Sequence, residues 1–192
     1  MKVLFIHGLA SSGAYKMADS LRILMKPCEV IAPDVPIEPD KALELLTRIC
    51  EEEDPDIVVG LSMGGFWAQK LRGRRKVLVN PDFHVSRLLR IFEGEMKYLS
   101  PRVDGAESFV ITKEICDAYE AIERTEFDGL DERERSLTSG AFADADELVN
   151  CSAEFEQHYP GRGKSYPGTH LPNYPQTKYY ILPIIEAQLS HS

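Results

Sequence analysis

Ile57-Val58-Val59 runs straight into Gly60-Leu61-Ser62-Met63-Gly64-Gly65, and no other stretch limits the fold of this chain as much. A β-branched run of this kind reads as a buried strand. Phe66-Trp67-Ala68-Gln69-Lys70-Leu71 follows with helix-compatible apolar spacing until Gly73 ends it. Between strand and helix the chain must turn within a few residues. Gly60 and Gly64, two positions either side of Ser62, lack a Cβ where the two backbones crowd that turn. The G-x-S-x-G pattern in this setting holds a serine in a strained conformation that lifts its hydroxyl clear of a sheet, the arrangement called a nucleophile elbow. A glycine-rich turn with an incidental serine is the competing reading of the segment alone; the flanking strand and helix weigh against it.

The rest of the first half keeps the same alternation. Val3-Leu4-Phe5-Ile6 forms a first strand, residues 14–26 a helix with Met17, Leu21, Leu24 and Met25 apolar, and Val30-Ile31-Ala32-Pro33 a second strand. Asp40 then caps a helix carrying Leu43, Leu46, Ile49 and Cys50 on one face, and the acidic residues 51–54 make a solvated connection rather than a metal site. Val77-Leu78-Val79-Asn80 is a further strand. This βαβαβαβ rhythm predicts a mostly parallel, doubly wound α/β sheet in a single domain spanning residues 1–192, with reactive groups at the carboxyl ends of the strands. From residue 83 to about 125 the pattern becomes mainly helical, with Val85, Leu88, Leu89, Phe92 and Met96 on one face and Ile111, Ile115, Ala118 and Ile122 on another. We read this segment as a helical insertion over the site. Residues 137–142 are a late strand, a short helix and Lys164-Ser165-Tyr166 follow, and residues 179–189 form a last helix interrupted near Pro183.

Charge and cysteine usage narrow the partners. A net charge of -9 and a pI near 5.1 repel nucleic acid and anionic membranes alike. The one basic run, Arg72, Arg74, Arg75 and Lys76, suits a solvated helix C-terminus better than a phosphate patch. Cys28, Cys50, Cys116 and Cys151 have neither C-x-x-C spacing nor nearby histidines, which argues against zinc or a disulfide framework and for a reducing cytoplasm. The apolar run at residues 3–6 stops at His7-Gly8, far short of a signal peptide or a membrane span.

A serine hydroxyl needs a base to take its proton. His170, in the turn-rich loop Pro167-Gly168-Thr169-His170-Leu171-Pro172 between the late strand and the last helix, is the candidate; His84 and His158 lie in helical segments and His191 in the tail. A carboxylate is then required on the other ring nitrogen to fix the tautomer. Asp144 and Asp146, just past the late strand, both qualify; Asp146 is preferred because Asp146-Glu147-Leu148-Val149 resembles a turn from the acid into the next helix, which the other aspartate would cap. The order serine, aspartate, histidine is that of α/β-hydrolases. In that geometry His7-Gly8-Leu9 lies beside the elbow, and the amides of Leu9 and Met63 point at the oxygen that becomes negative in a tetrahedral intermediate. His7 as a metal ligand or second base is the weaker alternative, because no clustered carboxylates accompany it. Ser11 and Ser12 line the pocket or cap the first helix.

On these segments the chain resembles the YqiA-like esterase family of compact α/β-hydrolases. The carriers are Leu4-Phe5-Ile6-His7-Gly8 near residue one, Gly60 to Gly65, Asn80-Pro81, Asp146-Glu147-Leu148 and the His170 loop. The resemblance implies a three-layer fold without the early antiparallel strands of larger hydrolases. It also implies hydrolysis of short acyl esters by an acyl-serine, with no cofactor or metal and a small-molecule ester as the partner. Thioesters would follow the same path. A non-catalytic binding module on this fold and an acyltransferase using the same serine are the alternatives from other classes.

Overall fold

Apolar runs without polar alternation suit strands covered on both faces, and β1 (Lys2–Ile6), β3 (Ile57–Leu61) and β4 (Lys76–Val79) are such strands. In the computed structural model, which describes residues 1–190, they pair in parallel at the centre of a six-stranded sheet. With β2 (Glu29–Ile31) on one side and β7 (Thr138–Ala143) and β8 (Gly163–Tyr166) on the other, the order is β2-β1-β3-β4-β7-β8, and each pairing is parallel.

Successive residues of a strand point to opposite faces, so each face needs its own cover. Val3, Phe5, Val59 and Val77 pack with Met17 and Leu21 of α1 (Lys16–Leu24) and Ile185 of α9 (Leu182–Ser190). Leu4, Ile6, Val58 and Leu78 pack on the other side with Leu46 of α2 (Pro39–Glu53), Phe66 and Trp67 of α3 (Met63–Lys70) and Phe155 of α7 (Ser152–His158). The result is the three-layer arrangement. Because the chain steps from β1 out to β2 and returns past β1 to β3, the strand order reverses between β1 and β3. A doubly wound sheet opens its crevice at the carboxyl ends of such a pair.

Several expectations need correction. Asp40 is not a cap: α2 begins at Pro39 after Glu38, and Asp40 sits in the first turn, where proline is pre-shaped for the helix and a carboxylate suits the dipole. α3 ends at Lys70, with Gly73 at φ 73° in the turn beyond it. The basic run is not a solvated cap. Lys76 is wholly buried at the start of β4, where its Nζ donates to Leu71 O at 2.8 Å and pairs with Glu134 at 3.3 Å, and burial pushes its pKa down to about 8. Arg74 pairs with Asp54, and Arg72 donates to the carbonyl of Glu126 at 2.9 Å.

The segment 83–125 is likewise not mainly helical. α4 (Val85–Ile91) gives way to an antiparallel hairpin, β5 (Gly94–Lys97) with β6 (Ser108–Ile111), before α5 (Lys113–Glu123). Gly94, at φ 121°, adopts a conformation that other residues avoid and stops helical continuation. Met96 therefore lies on a strand, where exposed Glu95 and Lys97 flank it in period-two alternation. α6 (Glu132–Ser136) precedes β7. Near the C-terminus the chain passes from α8 (Tyr174–Gln176) through a π-helical stretch at Thr177–Ile181 into α9 without a break. The wider turn accommodates Pro183, which lacks the N–H for a regular bond. Among the described residues no helix is long and apolar enough to cross a membrane.

The buried Lys76–Glu134 pair yields a stability prediction. Lys76→Met should leave the Glu134 carboxylate without its cation and lower unfolding stability by about 3 kcal/mol. Urea denaturation with an unchanged slope measures this, and a change within experimental error would mean that the pair carries no net stability.

Candidate active site

The end of β3 and the start of α3 meet at Ser62, whose φ of 56° and ψ of -120° lie outside the regions ordinary residues occupy. Crowding explains why the flanking positions are glycines. A Cβ on Gly60 would overlap the Gly64 carbonyl, and one on Gly64 would overlap the Ile6 carbonyl at the end of β1. Ser62 is 6% exposed, its carbonyl accepts from Gly65 N at 2.7 Å, and its amide donates to Val79 O of β4 at 2.9 Å. The turn is thus bonded on both sides.

His170 and Asp146 meet it from the far side of the sheet. His170 Nε2 lies 2.8 Å from Ser62 Oγ, and Nδ1 lies 2.7 Å from Asp146 Oδ2. A carboxylate only accepts, so Nδ1 carries the proton and Nε2 is left to accept the hydrogen bond of the Ser62 hydroxyl. Asp146 Oδ1 accepts from the amides of Leu148 and Val149 at 3.0 and 2.9 Å, which fixes the carboxylate. No helix follows directly, because α7 starts at Ser152. Asp144 is therefore not a helix cap. It accepts from Gly168 N at 3.0 Å, while Ala145 N donates to Gly168 O at 2.9 Å, and these bonds hold the loop that bears His170.

Beside the elbow, the chain after β1 turns sharply, with Ala10 at φ 56° and Ser11 N bonded to Gly8 O at 3.3 Å. Met63 is the first residue of α3, so its amide has no acceptor within the helix. His7 is neither ligand nor base here. Its Nδ1 donates to Gly8 O at 2.8 Å, its Nε2 accepts from Val35 N at 3.0 Å, and burial pushes its pKa down to about 4. Ser12 does not cap α1, whose N-cap is Tyr15; its Oγ donates to Pro101 O at 2.7 Å, and Leu99 N donates to Ala10 O at 2.7 Å. The connection between β5 and β6 is thereby tied to the Leu9 turn.

Ser62 and His170 open into a cavity of about 160 Å3. Its walls include Leu9, Leu88 of α4, Met96 of β5, Leu99, Leu148 and Leu171, with Ser11 and Tyr15 as the polar side chains outside the Ser62–His170 pair. The segment 83–125 thus reaches the cavity wall through Leu88 and Met96. Phe92 is not among the lining residues and is 45% exposed. The remaining histidines stand apart: His84 pairs with Glu154 at 2.9 Å, and His158 stacks on Phe127 with ring centroids 3.7 Å apart; His191 lies outside the described residues. Cys50, Cys116 and Cys151 are buried free thiols, and Cys28 is a half-buried one.

Sequence reasoning overlooked two buried polar residues just beyond β4. Asp82, whose pKa burial raises, accepts from His84 N at 2.9 Å. Asn80, 2% exposed at φ 43°, bonds to Ala143, Tyr166 and the carbonyl of His170. An Asn-Pro pair ending a strand is the one sequence signal that pointed to this position.

The buried neutral His7 makes stability depend on pH. An unfolded histidine titrates near 6.5, so the contribution of His7 is complete above that pH and is lost as pH falls from about 6.5 to about 4, on the order of 3 kcal/mol in all. The stability difference between wild type and His7→Asn should therefore shrink between about pH 7 and pH 4.5. A difference that stays constant would mean that His7 is not held neutral.

No curated protein matches the sequence. The fold is similar to that of a metagenome-derived lipolytic enzyme of the LipS and LipT pair, with TM-score 0.68 at 14% identity over 100% of this chain and 94% of that one. It is also similar to the esterase domain of a Rhodothermus marinus protein, with TM-score 0.61, 17% identity, and 97% and 86% of the two chains covered. An extracellular alpha/beta-hydrolase from a Paenibacillus species gives TM-score 0.55 at 16% identity, over 98% of this chain and 97% of that one. These likenesses show an α/β-hydrolase fold. The Uncharacterised protein family (UPF0227) matches residues 2–160, and the chain belongs to that family.

Proposed function

We propose that this protein is a serine esterase that cleaves small carboxylic esters through an acyl-Ser62 intermediate. The observation that carries the reading is the unbroken hydrogen-bond chain from Ser62 Oγ through His170 to Asp146, at 2.8 and 2.7 Å, opening into an apolar cavity. The lipolytic and esterase activities named for two of the structural neighbours agree with it.

In the first step Ser62 Oγ attacks the ester carbonyl while His170 Nε2 takes its proton, and Asp146 stabilises the imidazolium that forms. The negative oxygen of the tetrahedral intermediate receives the amides of Leu9 and Met63. His170 then passes its proton to the departing alcohol, leaving the acyl-serine. Water enters, gives its proton to His170, and attacks the acyl carbonyl; the second intermediate collapses to the carboxylic acid as His170 returns that proton to the departing Ser62 Oγ. No metal or cofactor takes part in this scheme. A thioester would react by the same steps, whereas an amide needs better protonation of a poorer leaving group. The acidic surface and free thiols fit a cytoplasmic enzyme that works on dissolved esters, away from nucleic acid and membranes.

Variants of the two aspartates test the mechanism. Asp146→Asn disturbs the tautomer of His170 and should lower kcat on the order of ten-thousand-fold. Asp144→Asn keeps an oxygen for Gly168 N and should leave kcat within about threefold, a revision of the helix-cap role. The reverse pattern would move the acid to Asp144. Ser62→Ala should lose several orders of magnitude in kcat, and wild-type turnover in that variant would overturn the reading.

Cavity size sets the acyl preference. Leu9, Leu88 and Met96 line the cavity at Ser62 and offer apolar cover to a short acyl chain. Each methylene that fits should add about 1 kcal/mol of transition-state binding. Beyond that, the chain meets Leu99, Leu148 and Leu171, which are 78%, 70% and 49% exposed and offer little burial. Across p-nitrophenyl esters, kcat/KM should rise from acetate and level off at short chains, with no jump above the micellar concentration. A steady rise to palmitate would contradict this account of the pocket.

A further inference from the structure

Asn80 sits one residue beyond β4, and its side chain has more to do there than fill space. Its main-chain amide donates to Ala141 O at 2.8 Å, which continues the parallel ladder with β7 by one bond. The next bond of that ladder would run from Ala143 N to the main-chain carbonyl of Asn80. At φ 43° the backbone has turned away, and the side-chain Oδ1 accepts from Ala143 N instead, at 2.7 Å. The amide orientation is unambiguous, because the remaining partners of Nδ2 include a carbonyl that can only accept. Nδ2 donates to Tyr166 Oη, on the last residue of β8, at 2.8 Å and to His170 O at 2.7 Å. One buried amide therefore joins the carboxyl ends of β4, β7 and β8 to the main chain of the residue whose imidazole faces Ser62.

We propose that Asn80 is a positioning residue that fixes the backbone of His170, and so the reach of its Nε2 to Ser62 Oγ. The proposal rests on His170 being the base. Other ties hold the same loop at Gly168, through Asp144 Oδ1 and Ala145 N, and at Pro167, whose carbonyl accepts from Gln176 Nε2 at 3.0 Å. Those bonds end two or more residues before His170, and Asp146 orients only the ring. Asn80 alone holds the histidine's own carbonyl among the bonds described here. Losing it frees His170 to shift while the loop stays attached, and a displacement near 1 Å in a reacting group is worth about a hundredfold in rate.

Asn80→Gly keeps the left-handed backbone without strain and removes the amide. It should lower kcat for p-nitrophenyl butyrate about a hundredfold with KM within threefold, at a temperature where the variant is fully folded. In a His170→Ala background the same change should cost less than about twofold, because a residue that acts through the base has nothing left to act on. Asn80→Asp supplies a near-isosteric variant if the glycine form does not fold. Only a protonated carboxyl can donate to His170 O, so its kcat relative to wild type should fall as pH rises through the carboxyl pKa. An Asn80→Gly variant within threefold of wild type, equal losses with and without His170, or an Asn80→Asp ratio that is flat with pH would overturn the proposal. Wild-type activity in His170→Ala would instead overturn the base assignment, and the role of Asn80 with it.

Discussion

The approach of three backbones at Ser62 governs the rest of the site. β3, the first turn of α3 and the last carbonyls of β1 come so close that Gly60 and Gly64 have no space for a Cβ, and Ser62 takes up the strain at φ 56°. Strain of order 1–3 kcal/mol persists only where the surroundings over-determine it. Here they do so through the parallel sheet: the Ser62 amide extends the ladder to β4, and its carbonyl starts α3. The same closeness brings the Leu9 turn, which follows β1, alongside Met63. The serine and the amides that would receive an oxyanion are thus set by one packing arrangement rather than by two separate loops.

Around the elbow, loops are held by side chains that bond to main chain, His7 and Asn80 from buried positions and Asp144 from an exposed one. His7 joins the turn after β1 to Val35, Asp144 clamps Gly168, and Asn80 spans three strand ends to reach His170. A buried polar atom is costly unless paired, so the bonds of His7 and Asn80 constrain their side chains closely. The site gains rigidity at a cost in tolerance: a change that removes the polar atoms of His7 or Asn80 leaves buried main-chain groups without partners. Burial of the neutral His7 ring also couples the shape of the Leu9 turn to pH, because charging the ring removes its acceptor for Val35 N.

Much of this was legible in the sequence, for identifiable reasons. Val3 to Ile6, Ile57 to Val59 and Val77 to Val79 are uninterrupted apolar runs, and such runs allow little besides buried parallel strands. The elbow glycines report a local steric demand, and His170 follows from its loop after the last strand. The basic run at Arg72 to Lys76 misled because adjacent cations resemble a solvated surface, whereas the depth of β4 buries Lys76 against a carboxylate 58 residues away. Met96 fitted a helical stripe by spacing alone; Gly94 and the alternation of Glu95 and Lys97 were the contrary signals. The choice between Asp144 and Asp146 depended on which carboxylate reaches Nδ1, a matter of loop geometry that two aspartates in near-identical context cannot reveal. Asn80 was marked only by the Asn80-Pro81 pair, because its role, replacing its own carbonyl in the ladder, shows only once the backbone turn is seen.

A covalent acyl group on Ser62 is the event on which the functional account turns. Rapid mixing with p-nitrophenyl butyrate, acid quenching within the first turnover and peptide mass mapping would detect it directly. The account predicts a butyryl adduct on the peptide containing Ser62, formed with a burst of p-nitrophenol and lost as water enters. Turnover of the ester with no adduct on Ser62, or an adduct on one of the cysteines, would contradict it.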